Sequence, residues 1–461
     1  MALSPDLAAA IAVTRFGLGA KPGQIAAALP DPQGWLTAQI RPEGGADQPQ
    51  ASAPSSQQRI LGLRQYQLQR RDAAAAGDPK SDPVKAAFKL IHDETGADFI
   101  ARVRLASSTD ADFRERWALF WCNHFTVSAT KLQTALTVGP FEQEAIRPNV
   151  FGRFEDLLVA SSSHPAMLFY LDQAQSVGPD SMAAMFMSGG GKKAGLNENL
   201  AREILELHTV GVDAGYTQAD VTEFARAMTG WSIGGFREGD NGGRFMFRAS
   251  AHEGGVRTIM GKQYAQSGMH QALAVMKDLA ANPHTAHHIA VKLARHFVAD
   301  DPPPTLVAKL ERTYLGTGGD LGEVARTLVL APEAWQPEAV KFKTPYEFMV
   351  SSFRAGSVLP QTLEQIGPAL NGMGQKPFNA PSPKGWPEDA DTWCAPDAVI
   401  KRMAWSEAYA AKALDGRDPS QLATDALGAR LTPLVGQAIA RADTREEGMA
   451  ILLMSPEFQR R

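Results

Sequence analysis

The 461 residues contain no apolar run of the roughly eighteen residues that a membrane-spanning helix needs, so no membrane span is expected. Only two cysteines occur, Cys122 and Cys394, too few for a disulfide framework. An excess of one charge is missing as well: 46 basic and 50 acidic residues leave a net charge of −4, without long runs of either sign. A nucleic-acid surface needs a basic patch, so nucleic acid is set aside as a partner. Two compact catalytic motifs are absent too. There is no HExxH and no GxxxxGK[ST] frame, and the SGGGKKAG run at 188–195 does not supply the latter. No tandem repeat marks a solenoid. The N-terminal apolar patch carries Asp6 where a signal peptide needs basic residues. That predicts an amphipathic helix and a cytoplasmic chain, exported only if a partner carries it.

What is present is ordinary for a soluble globular chain: 44% hydrophobic and 21% charged residues, enough to bury a core without a staple. Helical periodicity dominates. The expectation is an all-α fold, a large irregular multi-helix domain with one small β-hairpin. It is read as a single domain over 1–461, with any subdivision near 235–255. The hairpin is assigned to RFMFR at 244–248 and VRTIM at 256–260. Residues 178–195 read as a loop, with the 188–195 stretch placed as a lid before the next helix.

That next helix carries the most information. Residues 197–211 read NENLAREILELHTVG, rich in helix formers, with Gly211 as a stop. At about 100° per residue, Leu200, Ala201, Ile204, Leu205 and Leu207 share a face with His208 and Asn197. Asn199, Arg202, Glu203 and Glu206 cover the other side, with Arg202 and Glu206 spaced as an i,i+4 pair. A buried imidazole loses its charge readily and suits a base or metal ligand. A carboxylate pair serves acid–base chemistry when its surroundings split the two pKa values. Set against this, a histidine on an apolar face is usually a core residue, and an acidic helix face is usually solvated.

A second cluster lies in RWALFWCNHF at 116–125, where Trp117, Phe120, Trp121 and His124 share a helix face. It reads either as an aromatic core stripe or as an indole wall with Asn123 and His124 at a pocket mouth. His252, in a turn before Gly254 and Gly255, joins His124 and His208 as a candidate three-histidine site for a divalent metal. The HTAHH run with His284, His287 and His288 reads as a solvated helix start.

Several segments together resemble the bacterial domain of unknown function 1800 family. They are WCNHF at 121–125, YLDQAQS at 170–176, GLNENLAREILELHTVGVDAGYTQADVTEFARAMTGW at 195–231 and HEGGVRTIMG at 252–261. KTPYEFMVSSFRA at 343–355, PSPKGWPEDADTW at 381–393 and the final SPEFQRR complete the set. Cys122 stands where the family pattern has histidine, and Glu253 where it favours aspartate. The family label implies no settled activity, but it implies an exported setting beside a sulfatase-like companion.

Two expectations follow. The first is a hydrolase-like enzyme acting on a saccharide, polyol or related cell-surface substrate. In it His208, Glu203, Glu206 and His124 are catalytic; Asn123, Asn197, Asn199, Arg202, Trp121, Trp231 and His252 bind substrate. The second is a non-catalytic helical scaffold for a sulfatase-like partner, its polar residues forming a buried network.

Overall fold

Short polar residues head many of the helices and accept a bond from the first turn. Ser55, Thr217, Asp320, Thr344 and Thr432 all do so, satisfying donors that a helix start leaves unpaired. A computed structural model describes residues 3–41, 44–77, 82–189, 195–414 and 416–461. Those residues are 64% helical and include two small two-stranded antiparallel sheets, so the all-α expectation holds.

The helices that position the candidate sites are α1 (Asp82–Ser108), α2 (Asp112–His124), α3 (Asn199–Glu203) and α4 (Gln218–Ala227). After the strands come α5 (Pro283–Phe297), α6 (Pro345–Gly356) and α7 (Gly367–Gly372). Helix α3 continues into a π turn, Ile204–His208, which carries the chain to the expected stop at Gly211. One contiguous cluster of buried side chains runs from Ile11 to Phe458. Helix α2 lies inside it: Phe113, Trp117, Phe120 and Trp121 are all buried. The Trp117 indole donates to the Val150 carbonyl at 2.6 Å, and its ring stacks on Phe151 at 5.9 Å.

The strands pair differently from expectation. β1 (Trp231–Ile233) pairs with β2 (Phe245–Phe247), and β3 (Arg257–Ile259) with β4 (Lys262–Tyr264). The segments at 244–248 and 256–260 therefore do not form one hairpin. Met260 and Gly261 both take positive φ, 48° and 76°, making a two-residue turn that reverses the chain directly after β3. The loop expected over 178–195 also needs correction, because Met182–Gly189 is a helix, in keeping with its Met- and Ala-rich sequence. Residues 190–194 of the expected lid lie outside the described residues.

Candidate active site

Helix α3 and its π turn are fastened at both ends by the residues that looked functional. Asn197 accepts the Asn199 amide on its side-chain oxygen at 2.8 Å and donates to the Leu171 carbonyl at 3.1 Å. At the far end, four carbonyls find partners outside the ordinary helix ladder. Thr209 donates its hydroxyl to Ile204 O at 2.6 Å, and the Gly211 amide reaches Leu205 O at 3.0 Å. His288 Nε2 donates to Leu207 O and His124 Nε2 to His208 O, both at 3.1 Å. A helix end buried in a core needs such donors. His284 and His287 of that run are exposed as expected, His287 paired with Glu311 at 2.9 Å, but His288 is half-buried and bonded to this helix end.

His208 itself is 1% exposed, and neither ring nitrogen bonds a protein group. Its ring packs against Phe125 at 5.0 Å and His124 at 6.0 Å. Burial, then the Lys292 and His288 charges, lower its pKa to about 3, so it is neutral at ordinary pH. The charges that act on it include neither Glu203 nor Glu206.

Those carboxylates face another way. Glu203 is raised above its usual pKa by burial and then by Glu206, and its field reaches Tyr170. Glu206 is 3.5 Å from the Tyr216 hydroxyl. Arg202 pairs with Glu198 at 3.1 Å, not with Glu206, and Glu198 also binds Gln218 and Thr222 of α4. Asn199 is exposed. The structure thus separates His208 from the two glutamates by the body of the helix, so they do not combine as base and acid.

The remaining candidates also part company. His252 holds the Thr229 carbonyl with Nδ1 at 3.0 Å, beside Glu253, which is buried between Arg226 (2.8 Å) and Arg257 (3.1 Å). It does not join His124 and His208. Among the described residues no three His, Cys, Asp or Glu side chains are grouped to hold a metal ion. Trp121 and Trp231 are buried in the core at 0% and 1% exposure, and neither is free to stack on a sugar.

Polar groups converge instead on the opposite side of α2. There a cavity of about 90 Å³ is lined by Asn123 and Cys122 of α2, His296 of α5, Tyr346 and Glu347 of α6, and Trp386 and Glu388. His296 Nδ1 faces the Glu388 carboxylate at 2.8 and 2.9 Å, while Nε2 is buried and bonds no protein group. Burial lowers the His296 pKa against the opposing pull of Glu388. Burial pushes Glu388 up, but His296 and Lys341 outweigh it and hold the carboxyl below its usual value. The pair is therefore a neutral imidazole oriented by a carboxylate, with its second nitrogen left unbonded in a residue that lines the cavity. The Tyr346 hydroxyl is likewise buried without a protein partner, and burial keeps it protonated. Arg116 spans Glu347 and the Gly17 carbonyl, and Arg461 reaches the same carboxylate at 3.1 Å.

Asn123, expected at a pocket mouth, does line this cavity, but its amide is spent on a strap. It donates to Trp386 O at 3.0 Å and accepts from Trp386 N at 2.7 Å. Gly385 makes the approach close enough: its φ is +87°, and a Cβ there would meet Asn123 O at 2.4 Å. This clamp fixes the segment that carries Glu388.

A family model for proteins of unknown function (DUF1800) matches residues 11–460. The chain belongs to the DUF1800 family. No curated protein and no solved structure matches it. Three of the segments that carried the DUF1800 resemblance, at 121–125, 343–355 and 381–393, meet at the cavity. Sequence reasoning missed His296 and Glu388 because 92 residues separate them and neither sits in a local motif. The usable signal was that Glu388 lies in an irregular segment which nonetheless carries the family pattern.

Proposed function

We propose that this DUF1800 chain is a hydrolase-like enzyme whose acid–base centre is the Glu388–His296 pair. One observation carries the reading: two buried polar atoms without protein partners, His296 Nε2 and the Tyr346 hydroxyl, belong to residues lining the same cavity. Other buried polar atoms also lack partners, His208 among them, but these two belong to residues around one hollow, where a ligand would complete them.

The chemistry follows from the two groups. His296 Nε2, neutral, accepts a proton from a water as the water oxygen attacks an acyl carbon. The carbonyl electron pair moves to oxygen, and the Tyr346 O–H donates to that oxyanion. Collapse expels the alkoxide, which takes the proton back from His296, giving acid and alcohol. Glu388 keeps Nδ1 protonated and stabilises the imidazolium that forms, as a positioning residue. An ester suits the cavity better than the expected saccharide, because the tryptophans that pointed to a sugar are in the core.

The test is turnover of short aryl esters by the purified chain. His296→Gln should lower kcat about 10²- to 10⁴-fold. Tyr346→Phe should lower it about 10²- to 10³-fold, with melting temperature nearly unchanged in both. Because burial depresses the His296 pKa, the acid limb of the kcat profile should lie below pH 6.5, with activity lost as pH falls through it. Glu388→Gln removes the charge that raises that pKa and should move the limb lower still. Absence of ester turnover, or turnover indifferent to both variants, would leave the scaffold reading in its place.

A further inference from the structure

We infer that the substrate is a long-chain acyl ester, its hydrocarbon lying in a second hollow that shares a wall with the cavity. The inference rests on the hydrolytic reading above. The second hollow has a volume of about 630 Å³ and is walled by Phe99, Ala129, Leu132, Ala135, Leu363 and Pro368. Phe99, Lys376, Pro377 and Phe378 line both spaces, so this one partition is what lies between the groove and the His296 side.

The walls discriminate between ligand classes. A peptide or glycan would bring amides or hydroxyls that carbon surfaces leave unpaired, at a large desolvation cost. The polar residues of the lining are Thr95, Glu364, Asn371 and Lys376, of which Thr95 already donates its hydroxyl to Ala135 O at 3.0 Å. An alkyl chain asks for no partners.

Two glycines keep the groove open from facing helices. Gly96 sits inside α1 and Gly367 begins α7; a Cβ at either would meet Leu363 side-chain atoms at 3.4 Å. Glycine inside a helix weakens it relative to almost any other residue, so Gly96 is retained at the expense of helix stability and leaves the space free. The partition is also unusual. Phe378 is buried with φ at +48°, a conformation bulky residues avoid. It is held there by the Ala129 amide on its carbonyl at 2.7 Å and by the Phe99 ring at 5.2 Å.

The experiment separates groove from chemistry. Binding of dansyl-labelled undecanoate is measured by fluorescence on the wild type, His296→Gln, Gly96→Leu and Gly367→Leu. Nitrophenyl esters from acetate to laurate are assayed in parallel. The probe should bind the wild type and His296→Gln alike and at least tenfold more weakly to the two leucine variants. KM should fall with chain length by up to about fourfold per methylene, and Gly96→Leu should abolish that trend while acetate turnover stays intact. Gly96→Leu improves helix propensity, so a folded protein is expected, and Gly367→Leu repeats the block from the other wall. Acetate turnover without probe binding, or probe binding indifferent to both leucines, overturns the acyl groove and leaves the hydrolase. Probe binding that depends on Gly96, with no ester hydrolysed, overturns the hydrolase instead.

Discussion

A buried imidazole that bonds to nothing has a definite thermodynamic signature. His208 is neutral in the fold with a pKa of about 3, whereas in the unfolded chain it titrates near the ordinary value of 6.5. A histidine with a depressed folded pKa contributes stability that is present above the unfolded value and is lost as pH falls toward the folded one. His288, lowered to about 4 by burial and Lys292, acts with the same sign, as does His124. Stability should therefore fall from pH 6.5 toward 4 with a slope of about 1.4 kcal/mol per unit for each histidine that stays neutral. Substituting His208→Phe removes one such proton and leaves no partner orphaned. Its melting temperature should match or exceed wild type at pH 7 and exceed it more clearly at pH 5, with ester turnover unchanged. A loss of turnover without a loss of stability would return His208 to the list of reacting groups.

At the level of elements, α3 with its π turn and the 381–393 strap show two uses of the same polar vocabulary. In the first, side chains close a helix end inside a core. His124→Leu would strip the donor from the His208 carbonyl and should cost about 1–3 kcal/mol by thermal or chemical denaturation, as a buried acceptor loses its only partner. In the second, an amide and a glycine set the Glu388 carboxylate beside His296. Gly385→Ala puts a methyl within 2.4 Å of Asn123 O at a positive φ. It should shift the strap, reducing kcat toward that of Glu388→Gln and moving the acid limb of the rate profile the same way. The difference explains what was legible from sequence. The helices, their caps and the inward face of residues 197–208 could be read, because 3.6-residue periodicity and Ser, Thr and Asp caps are local. That His208 and Glu203 fall on different sides was already visible from the same geometry. What stays hidden locally is whether two sides of one helix meet a common space, and here they do not. His296 and Glu388 come together only through the packing of α5 against a segment with no periodicity.

Across the whole molecule, α2 acts as a charged axle in an apolar core. Within five positions it buries Asp112, Glu115 and Arg116, and each reaches a remote segment. Asp112 meets Arg354 of α6 at 3.0 Å, Glu115 holds Arg147 through bonds of 2.7 and 2.8 Å, and Arg116 meets Glu347. The desolvation cost of such pairs is large, so their presence says little about net stability; their geometry does say which segments must lie against α2. That argument has an asymmetric test. Glu115→Leu leaves the Arg147 guanidinium uncompensated inside the core and should lose about 3–5 kcal/mol. The double variant Glu115→Leu/Arg147→Met removes both charges at similar volume and should recover most of that loss in denaturant melts. If the single and double variants are equally unstable, the pair is more than a matched charge, and the Arg147 bond to the Asp47 carbonyl at 2.8 Å carries the difference.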